Sequence, residues 1–376
     1  MRGLEGRAEA VAGTFNAQCV SYTLWAYATM GQAPGAGVMR ELVGRAEALA
    51  GTFDSQGVAN TLWAYATMGR APGAELMREL EGRAEQVAGT FKAQDVTNSL
   101  WAYATMGRAP GAKLMMQLEW RAKALAGMFI AQGAANTLWA YAKMGRAPGA
   151  GLMQVLAGRA EAVAGTFNAQ DVASTLWAVS VFSTFRPPEE QIRLVLTVVQ
   201  RLVSLGRTAC LNTAQLCQLY QFFVWCTLEP SLGVEAINDV QSLKETCRSA
   251  FEGTKTNPSA AQQRVSKTLR DIGLSVEDEV RCPKSGYSID MLVVHDSTLE
   301  IGGERSSGRT WALEFDGPSH FLASGAPTGA TLLKRRHLEA LGHALVIVPF
   351  WEWSGCKGAG EREQYLLGKL EAGSHS

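Results

Sequence analysis

The sequence predicts an α-helical solenoid of 38-residue helix-turn-helix repeats, followed by a small α/β domain. Two observations predict the solenoid: a tryptophan phrase, TLWAYATMG and its variants, recurs every 38 residues, and glycine, proline and arginine recur with the same period. A third observation predicts the α/β domain, because strand patterns first occur beyond residue 258. The recurring tryptophans are Trp25, Trp63, Trp101, Trp139 and Trp177.

Each repeat is expected to form a helical hairpin, as the third unit shows. Apolar residues at i, i+4, i+7 and i+8 predict a first helix from about Gln94 to Met106. Gly107 suits the left-handed position that ends a helix, and Pro110 suits the first turn of the next. The second helix is predicted to end near Gly127. Stacked hairpins share a continuous core and present a long surface that suits an extended ligand.

Two recurring residue types receive a structural interpretation. A tryptophan at one helical position in every repeat is expected to fill the packing between helices, and we do not assign it to a ligand.

Glu41 and Glu79 stand four residues before Arg45 and Arg83, which favours solvated i,i+4 ion pairs over phosphate contacts for the recurring arginine.

A polar or small-residue stripe is predicted beside the apolar one on each first helix. In the third unit it consists of Asp95, Asn98, Ala102 and Thr105. The second position is always polar, and short polar side chains suit base reading by helical repeats. An internal hydrogen-bonded ladder of asparagines is the alternative. The candidate RNA-binding residues of the repeats are Tyr22, Asn60, Asp95, Asn98, Asn136, Asp171 and Ser174.

The unit carrying LWAYATMG resembles the octotricopeptide repeats of green-algal organelle proteins and the helical repeats of their FAST-kinase-like relatives. The resemblance covers residues 1–182, with RAPGA where many octotricopeptide repeats have a PxPE-like signature. It implies binding of organellar RNA. Because residues 1–15 repeat at 77–91, Met1 is equivalent to an internal methionine. We therefore expect earlier repeats and a targeting peptide to precede this chain.

The predicted domain organisation has four parts. The solenoid covers residues 1–182, a helical cap region 183–251, a linker 252–258 and the α/β domain 259–376. The cap region is expected to hold helices over about 188–205, 212–227 and 235–251, which would cover the exposed core of the last repeat. In the last part, strands are expected in YSIDMLVV, WALEFD and ALVIVPF.

Three separated motifs of this last part resemble the RAP domain. They are Ile289 with Asp290, the phrase EFDGPSHF at 314–321, and the strand that ends in PFWEW at 353. RAP domains follow helical repeats in organellar RNA-binding proteins and look like a reduced restriction-endonuclease-type fold. The resemblance would make Asp290 and Glu314 paired carboxylates for a divalent metal that activates water.

The usual lysine of such a nuclease site is replaced here by Asp316, and His320 or Lys334 could substitute for it. For Asp290, Glu314, Asp316 and His320, three interpretations stay open: metal-dependent RNA cleavage, recognition close to phosphate, and turn or fold chemistry. Lys334, Arg335 and Arg336 suit either phosphate contact or a solvated surface.

A pair of tryptophans lies beyond the basic run of Lys334, Arg335 and Arg336. Trp351 and Trp353 are expected to share one face of a strand end, either stacking on bases, with Trp353 the candidate RNA contact, or packing on the domain.

Composition narrows the function. Lys plus Arg and Asp plus Glu are 35 each, so the formal net charge is zero and binding of nucleic acid by bulk charge is excluded. Seven cysteines form no CxxC pair, which favours reduced thiols over a zinc site. Apolar stretches are broken before about 18 residues, so no membrane span is predicted. No phosphate-binding loop or kinase motif occurs, so phosphoryl transfer is not supported.

The leading hypothesis is sequence-selective binding of single-stranded organellar RNA, in a chloroplast or mitochondrion, that supports RNA processing, stability or translation. Other RNA-processing proteins are expected partners, whereas DNA and membranes are not. No cofactor is expected unless the chain is a metal-dependent endoribonuclease using Asp290 and Glu314 with Mg²⁺ or Mn²⁺. A helical-repeat protein scaffold is the third alternative.

Overall fold

The computed structural model describes residues 2–183, 187–206, 211–232, 234, 240–255, 257–295 and 309–373. The chain divides into two compact units, residues 1–210 with 323–326, and residues 211–322 with 327–376. The first unit is helical and the second contains the sheet. Helical repeats followed by a small α/β domain are thus confirmed, while the predicted boundaries at 182, 251 and 258 stay a prediction.

The repeats are helical hairpins, as the sequence predicts. The first helices are α2 (Ala17–Thr29), α4 (Ser55–Thr67), α6 (Ala93–Thr105), α8 (Ala131–Lys143) and α10 (Ala169–Phe182). The second helices are α1 (Arg2–Val11), α3 (Ala36–Ala48), α5 (Ala74–Val87), α7 (Ala112–Ala124) and α9 (Ala150–Val163). Gly107 ends α6 with a φ of 66°, a conformation that costs glycine little. A short 3-10 turn follows each second helix and ends in a phenylalanine.

The recurring arginine joins each repeat to the one before it. Arg83 Nε donates to the carbonyl oxygen of Phe53 at 2.6 Å, and Arg121 Nε donates to that of Phe91 at 2.7 Å. The same bond is made by Arg45 to Phe15 and by Arg159 to Phe129. The expected i,i+4 ion pairs are wrong, because Glu41 pairs with Arg40 and Glu79 with Arg78.

A second set of bonds joins two of the repeat interfaces. Glu81 accepts from Tyr103 Oη at 2.9 Å and from the Gly111 amide at 2.9 Å. Glu119 binds the equivalent Tyr141 and Gly149 in the next repeat. Twenty-two residues before Tyr65, the equivalent position is Val43, and the buried Tyr65 hydroxyl has no partner within the described residues.

Replacing Arg83 by methionine should lower the free energy of unfolding by about 1–3 kcal/mol, because a buried carbonyl loses its charged donor. Arg78→Met is the matched control, since Arg78 lies on the same helix with its side chain 72% exposed. A change within about 0.5 kcal/mol is expected there. Urea denaturation followed by circular dichroism measures both. Equal losses in the two variants would show that the inter-repeat bond contributes nothing of its own.

Replacing Val43 by glutamate should raise the free energy of unfolding by about 0.5–1.5 kcal/mol, because the carboxylate supplies the acceptor that Tyr65 lacks. The same urea denaturation provides the measurement. In a Tyr65→Phe background the gain should disappear. A gain that persists in that background would assign it to something other than the tyrosine.

The recurring tryptophan does not fill the core as expected. Trp177 is buried, at 3% exposure, but Trp25 is 42% exposed. Trp63, Trp101 and Trp139 are half-buried. The core instead uses the leucine before each tryptophan and the phenylalanine of each 3-10 turn, such as Leu62 and Phe53.

Three helices follow the repeats. Helix α11 (Glu189–Leu205) continues the array, because Arg201 Nε donates to the carbonyl of Phe167 at 2.9 Å. Helices α12 (Thr213–Leu228) and α13 (Gln241–Glu252) pack against each other in the second unit. The start of the predicted helix 235–251 lies outside the described residues.

The second unit holds a four-stranded sheet. Helix α14 (Ala260–Asp271) precedes β1 (Ser275–Arg281), β2 (Ser288–Val294) and β3 (Thr310–Asp316). Helix α15 (Gly329–Ala340), β4 (Ala344–Pro349), α16 (Phe350–Gly355) and α17 (Ala359–Ala372) follow. The strand order is β1-β2-β3-β4, with the first two pairings antiparallel and the last parallel. Among the described residues no helix is long and apolar enough to cross a membrane.

Candidate functional site

A cluster of charged side chains lies between the sheet and α15. Glu314 and Asp316 are two residues apart on β3, so they point to the same face of the strand. Helix α15 connects β3 to the parallel β4 and places Lys334 and Arg335 against them. Lys334 Nζ donates to Glu314, and Arg335 donates to Asp316. The structure therefore brings together most of the residues that the sequence analysis singled out here.

Glu314 is the most perturbed acid of this cluster. It is 2% exposed, and burial raises its pKa to about 8, although Lys334 acts to lower it and Asp290 raises it further. Its Oε1 atom has no hydrogen-bond partner within the described part of the chain. The neighbouring Asp290 has a pKa raised by burial, and its Oδ2 accepts from the Phe315 amide at 2.8 Å.

Asp316 has the opposite electrostatic environment. Burial acts to raise its pKa, but hydrogen bonds from His320 and Arg335 hold the pKa below its ordinary value. His320 Nδ1 lies 2.8 Å from Asp316 Oδ1, and this hydrogen bond raises the pKa of His320. The turn that carries His320 is thereby tied to β3, as the fold-chemistry interpretation expects.

The cluster does not fit a divalent metal. Metal-binding carboxylates must be ionised and available, whereas Glu314 binds Lys334 and Asp316 binds both Arg335 and His320. Within the described ranges, no three His, Cys, Asp or Glu side chains are grouped to hold a metal ion.

The basic run departs from its expected surface roles, whereas the tryptophan pair divides, with Trp351 43% exposed and Trp353 in the packing role that the sequence left open. Lys334 and Arg335 are occupied by buried carboxylates, with 21% of each side chain exposed, and Arg336 is half-buried. The expectation of a strand at 351–353 is wrong, because α16 begins directly after Pro349. Trp353 is 2% exposed and belongs to the hydrophobic core, so its ring faces are closed to bases.

Replacing Glu314 by glutamine should flatten the pH dependence of stability. The folded protein keeps a proton that the unfolded chain loses near the ordinary pKa of 4.5, so stability falls as pH rises from there to about 8. Glutamine keeps an acceptor for Lys334 but does not titrate. The free energy of unfolding, measured between pH 5 and 8, should therefore fall more steeply in the parent. Parallel profiles would show that Glu314 ionises normally.

The polar stripe of the first helices differs from the predicted one at its first and third positions. In α6 the observed stripe consists of Gln94, Asn98, Trp101 and Thr105, at i, i+4, i+7 and i+11. Asp95 is buried and accepts from the Lys92 amide, and Asp171 likewise accepts from the Asn168 amide. Both acids belong to N-terminal capping boxes, so their assignment to RNA is corrected to a structural one.

The second stripe position lies at the surface in most repeats. Tyr22 is 43% exposed, Asn98 and Asn136 are half-buried, and Asn60 is 9% exposed. Between α6 and α8 the hydrogen bond at this level joins the Thr97 and Thr137 hydroxyls, 3.3 Å apart, rather than the asparagines. The internal asparagine ladder is therefore not formed at this interface. Ser174, in the last repeat, is buried.

Comparison with known families agrees with this architecture. Residues 1–188, half of the 376-residue chain, match the family model described as RNA-editing substrate-binding complex 6 protein. Residues 313–369 match the RAP domain. The chain therefore belongs to the RNA-editing substrate-binding complex 6 protein family. The match to the RAP domain confirms the resemblance that the sequence motifs indicated. The octotricopeptide and FAST-kinase-like resemblance stays a prediction.

Among curated proteins, the chain is similar to the RAP domain-containing protein, chloroplastic, of Oryza sativa subsp. japonica. The two are 32% identical over 127 residues, which cover 34% of this chain. The match spans only 17% of the length of the rice protein.

Proposed function

We propose that this protein binds single-stranded RNA sequence-selectively in a chloroplast or mitochondrion and supports RNA processing, stability or translation. The observation that carries the proposal is an asparagine at the same first-helix position of three successive repeats, where Asn98 and Asn136 reach the surface and Asn60 is 9% exposed. The side-chain amides of Asn98 and Asn136 have no hydrogen-bond partner among the described residues. An amide offers both donors and an acceptor, as recognition of a base edge requires.

The family matches support the same proposal. The family of residues 1–188 is described as binding an RNA-editing substrate within a complex, which favours RNA and other RNA-processing proteins as partners. The printed name of the rice relative favours a chloroplast. Because the family description names RNA, we favour RNA over DNA as the ligand.

The RAP-domain charge cluster is proposed to maintain the fold rather than to cut RNA. Its carboxyl groups are hydrogen-bonded to Lys334, Arg335 and His320, so they are already occupied inside the domain. The proposed function therefore uses no metal or other cofactor. The RAP domain would hold the transcript while the solenoid selects its sequence.

Replacing Asn60, Asn98 and Asn136 together by alanine should weaken RNA binding at least about hundredfold, because three lost base contacts are worth about 1–3 kcal/mol each. The probe is a labelled pool of random-sequence 20-nucleotide RNA, enriched by selection on the parent and then measured by fluorescence anisotropy. Melting curves confirm that the variant folds.

The matched control replaces Gln154, an exposed amide on second helix α9, by alanine. It should bind the enriched RNA as the parent does. If the asparagine variant selects the same sequences with the same affinity, base reading by this stripe is wrong. If the parent enriches no RNA, the proposed function itself fails.

A further inference from the structure

The first helices of the repeats present a continuous surface of aromatic and amide side chains. Each row of this surface consists of a glutamine, an asparagine or tyrosine, a tryptophan, and a threonine or lysine at i, i+4, i+7 and i+11. The four rows are Gln18, Tyr22, Trp25 and Thr29; Gln56, Asn60, Trp63 and Thr67; Gln94, Asn98, Trp101 and Thr105; and Gln132, Asn136, Trp139 and Lys143. We call it the first-helix surface.

The tryptophans of this surface follow one another from repeat to repeat. The ring centroids of Trp63 and Trp101 are 6.3 Å apart, with the ring planes inclined by 34°. Trp25 is the most exposed of the four, at 42%. The surface ends at the fifth repeat, where Ser174 and Trp177 are buried at 5% and 3% exposure. A row of adjacent rings is thus accessible along four repeats.

Burial alone does not account for these rings. A tryptophan needed only for packing is satisfied when both faces and the edge are covered, as in Trp177. Four successive repeats instead leave part of the ring in water, beside an amide or phenol one turn earlier on the helix. Partly exposed rings at the same position of four successive repeats form a contiguous aromatic surface, which suits a binding site.

The charges of this surface are compatible with an anionic polymer. None of its sixteen positions is acidic, and Lys143 is basic, so no charge on the surface repels phosphate. In the repeats, ten of the thirteen acidic residues lie on the second helices, where ten lysines and arginines balance them. The three on the first-helix side are Asp54, Asp95 and Asp171, and each accepts a hydrogen bond at a helix start.

We propose that Trp25, Trp63, Trp101 and Trp139 form a stacking platform for the bases of single-stranded RNA, one base per repeat. Asn60, Asn98 and Asn136 lie one turn before the last three of these rings and contact the edge of the stacked base. The inference rests on the proposed function and names the surface that carries it. An RNA strand supplies a flat ring with polar edges at every residue, which an extended peptide does not.

The test replaces tryptophan by leucine, which keeps apolar volume but removes the ring. Trp101→Leu should weaken binding of the random-sequence 20-nucleotide RNA pool at least about fivefold, because base–aromatic stacking is worth about 1–3 kcal/mol per base. Trp101→Phe should retain most of the affinity. The slope of affinity against salt should stay that of the parent, since stacking removes no phosphate contact.

Trp120 provides the matched control, because it is 64% exposed but lies on second helix α7. Trp120→Leu should bind the pool as the parent does. Melting curves verify folding, and if Trp101→Leu does not fold, Trp25→Leu carries the test on the most exposed ring.

The outcomes separate the two proposals. If the parent binds RNA and the leucine variants bind equally well, or no worse than Trp120→Leu, the stacking platform is wrong while RNA binding stands. If the parent binds no RNA, the proposed function fails. A selective loss in the platform variants, with rescue by phenylalanine, supports both.

Discussion

The array depends on one hydrogen bond, from a second-helix arginine to the carbonyl of the phenylalanine that ends the preceding 3-10 turn. That carbonyl lies at a helix end, where backbone acceptors have no partner in their own helix. The phenylalanine ring is buried, so its backbone sits at the interface between repeats. A guanidinium reaches it from 30 residues further along the chain in each repeat interface from Arg45 to Arg159. Arg201 of α11 makes the same bond to the carbonyl of Phe167, although α11 lies beyond the repeated sequence. Helix α11 therefore stacks on the last repeat as the second helices stack on one another.

The two helices of each hairpin have different roles in this arrangement. The arginines of the second helices, together with Glu81 and Glu119, form hydrogen bonds to neighbouring repeats. The first helices meet their neighbours mainly through small and apolar residues such as Ala59 and Leu62. The exposed glutamines of these helices, together with Asn98 and Asn136, are therefore not required for packing between repeats and reach the surface. The neutral net charge is consistent with recognition by such groups rather than by bulk attraction.

The sequence predicts most of the helices and strands, but few of the hydrogen-bond partners that join them. The helix expected at 94–106 is observed at Ala93–Thr105, since periodicity and the Gly107 cap define it locally. The arginine's partner was missed because a backbone carbonyl 30 residues away leaves no side-chain signature. Asp95 could have been recognised, as it stands three residues after a helix start. Strand β1 was missed because SVEDEVR is mostly charged, as an exposed edge strand permits. Pro349 signals a helix start that the apolar strand before it obscured.

The RAP domain shows why residue identity at a nuclease-like position does not establish nuclease chemistry. Asp290, Glu314 and Lys334 are indeed neighbours, as the resemblance implies. Yet Glu314 is 2% exposed and accepts a hydrogen bond from Lys334, whereas a divalent metal needs several accessible oxygen ligands. The same contacts anchor α15 to the strand that leads into it. Lys334 and Arg335 thus serve the fold of the RAP domain by holding α15 to β3.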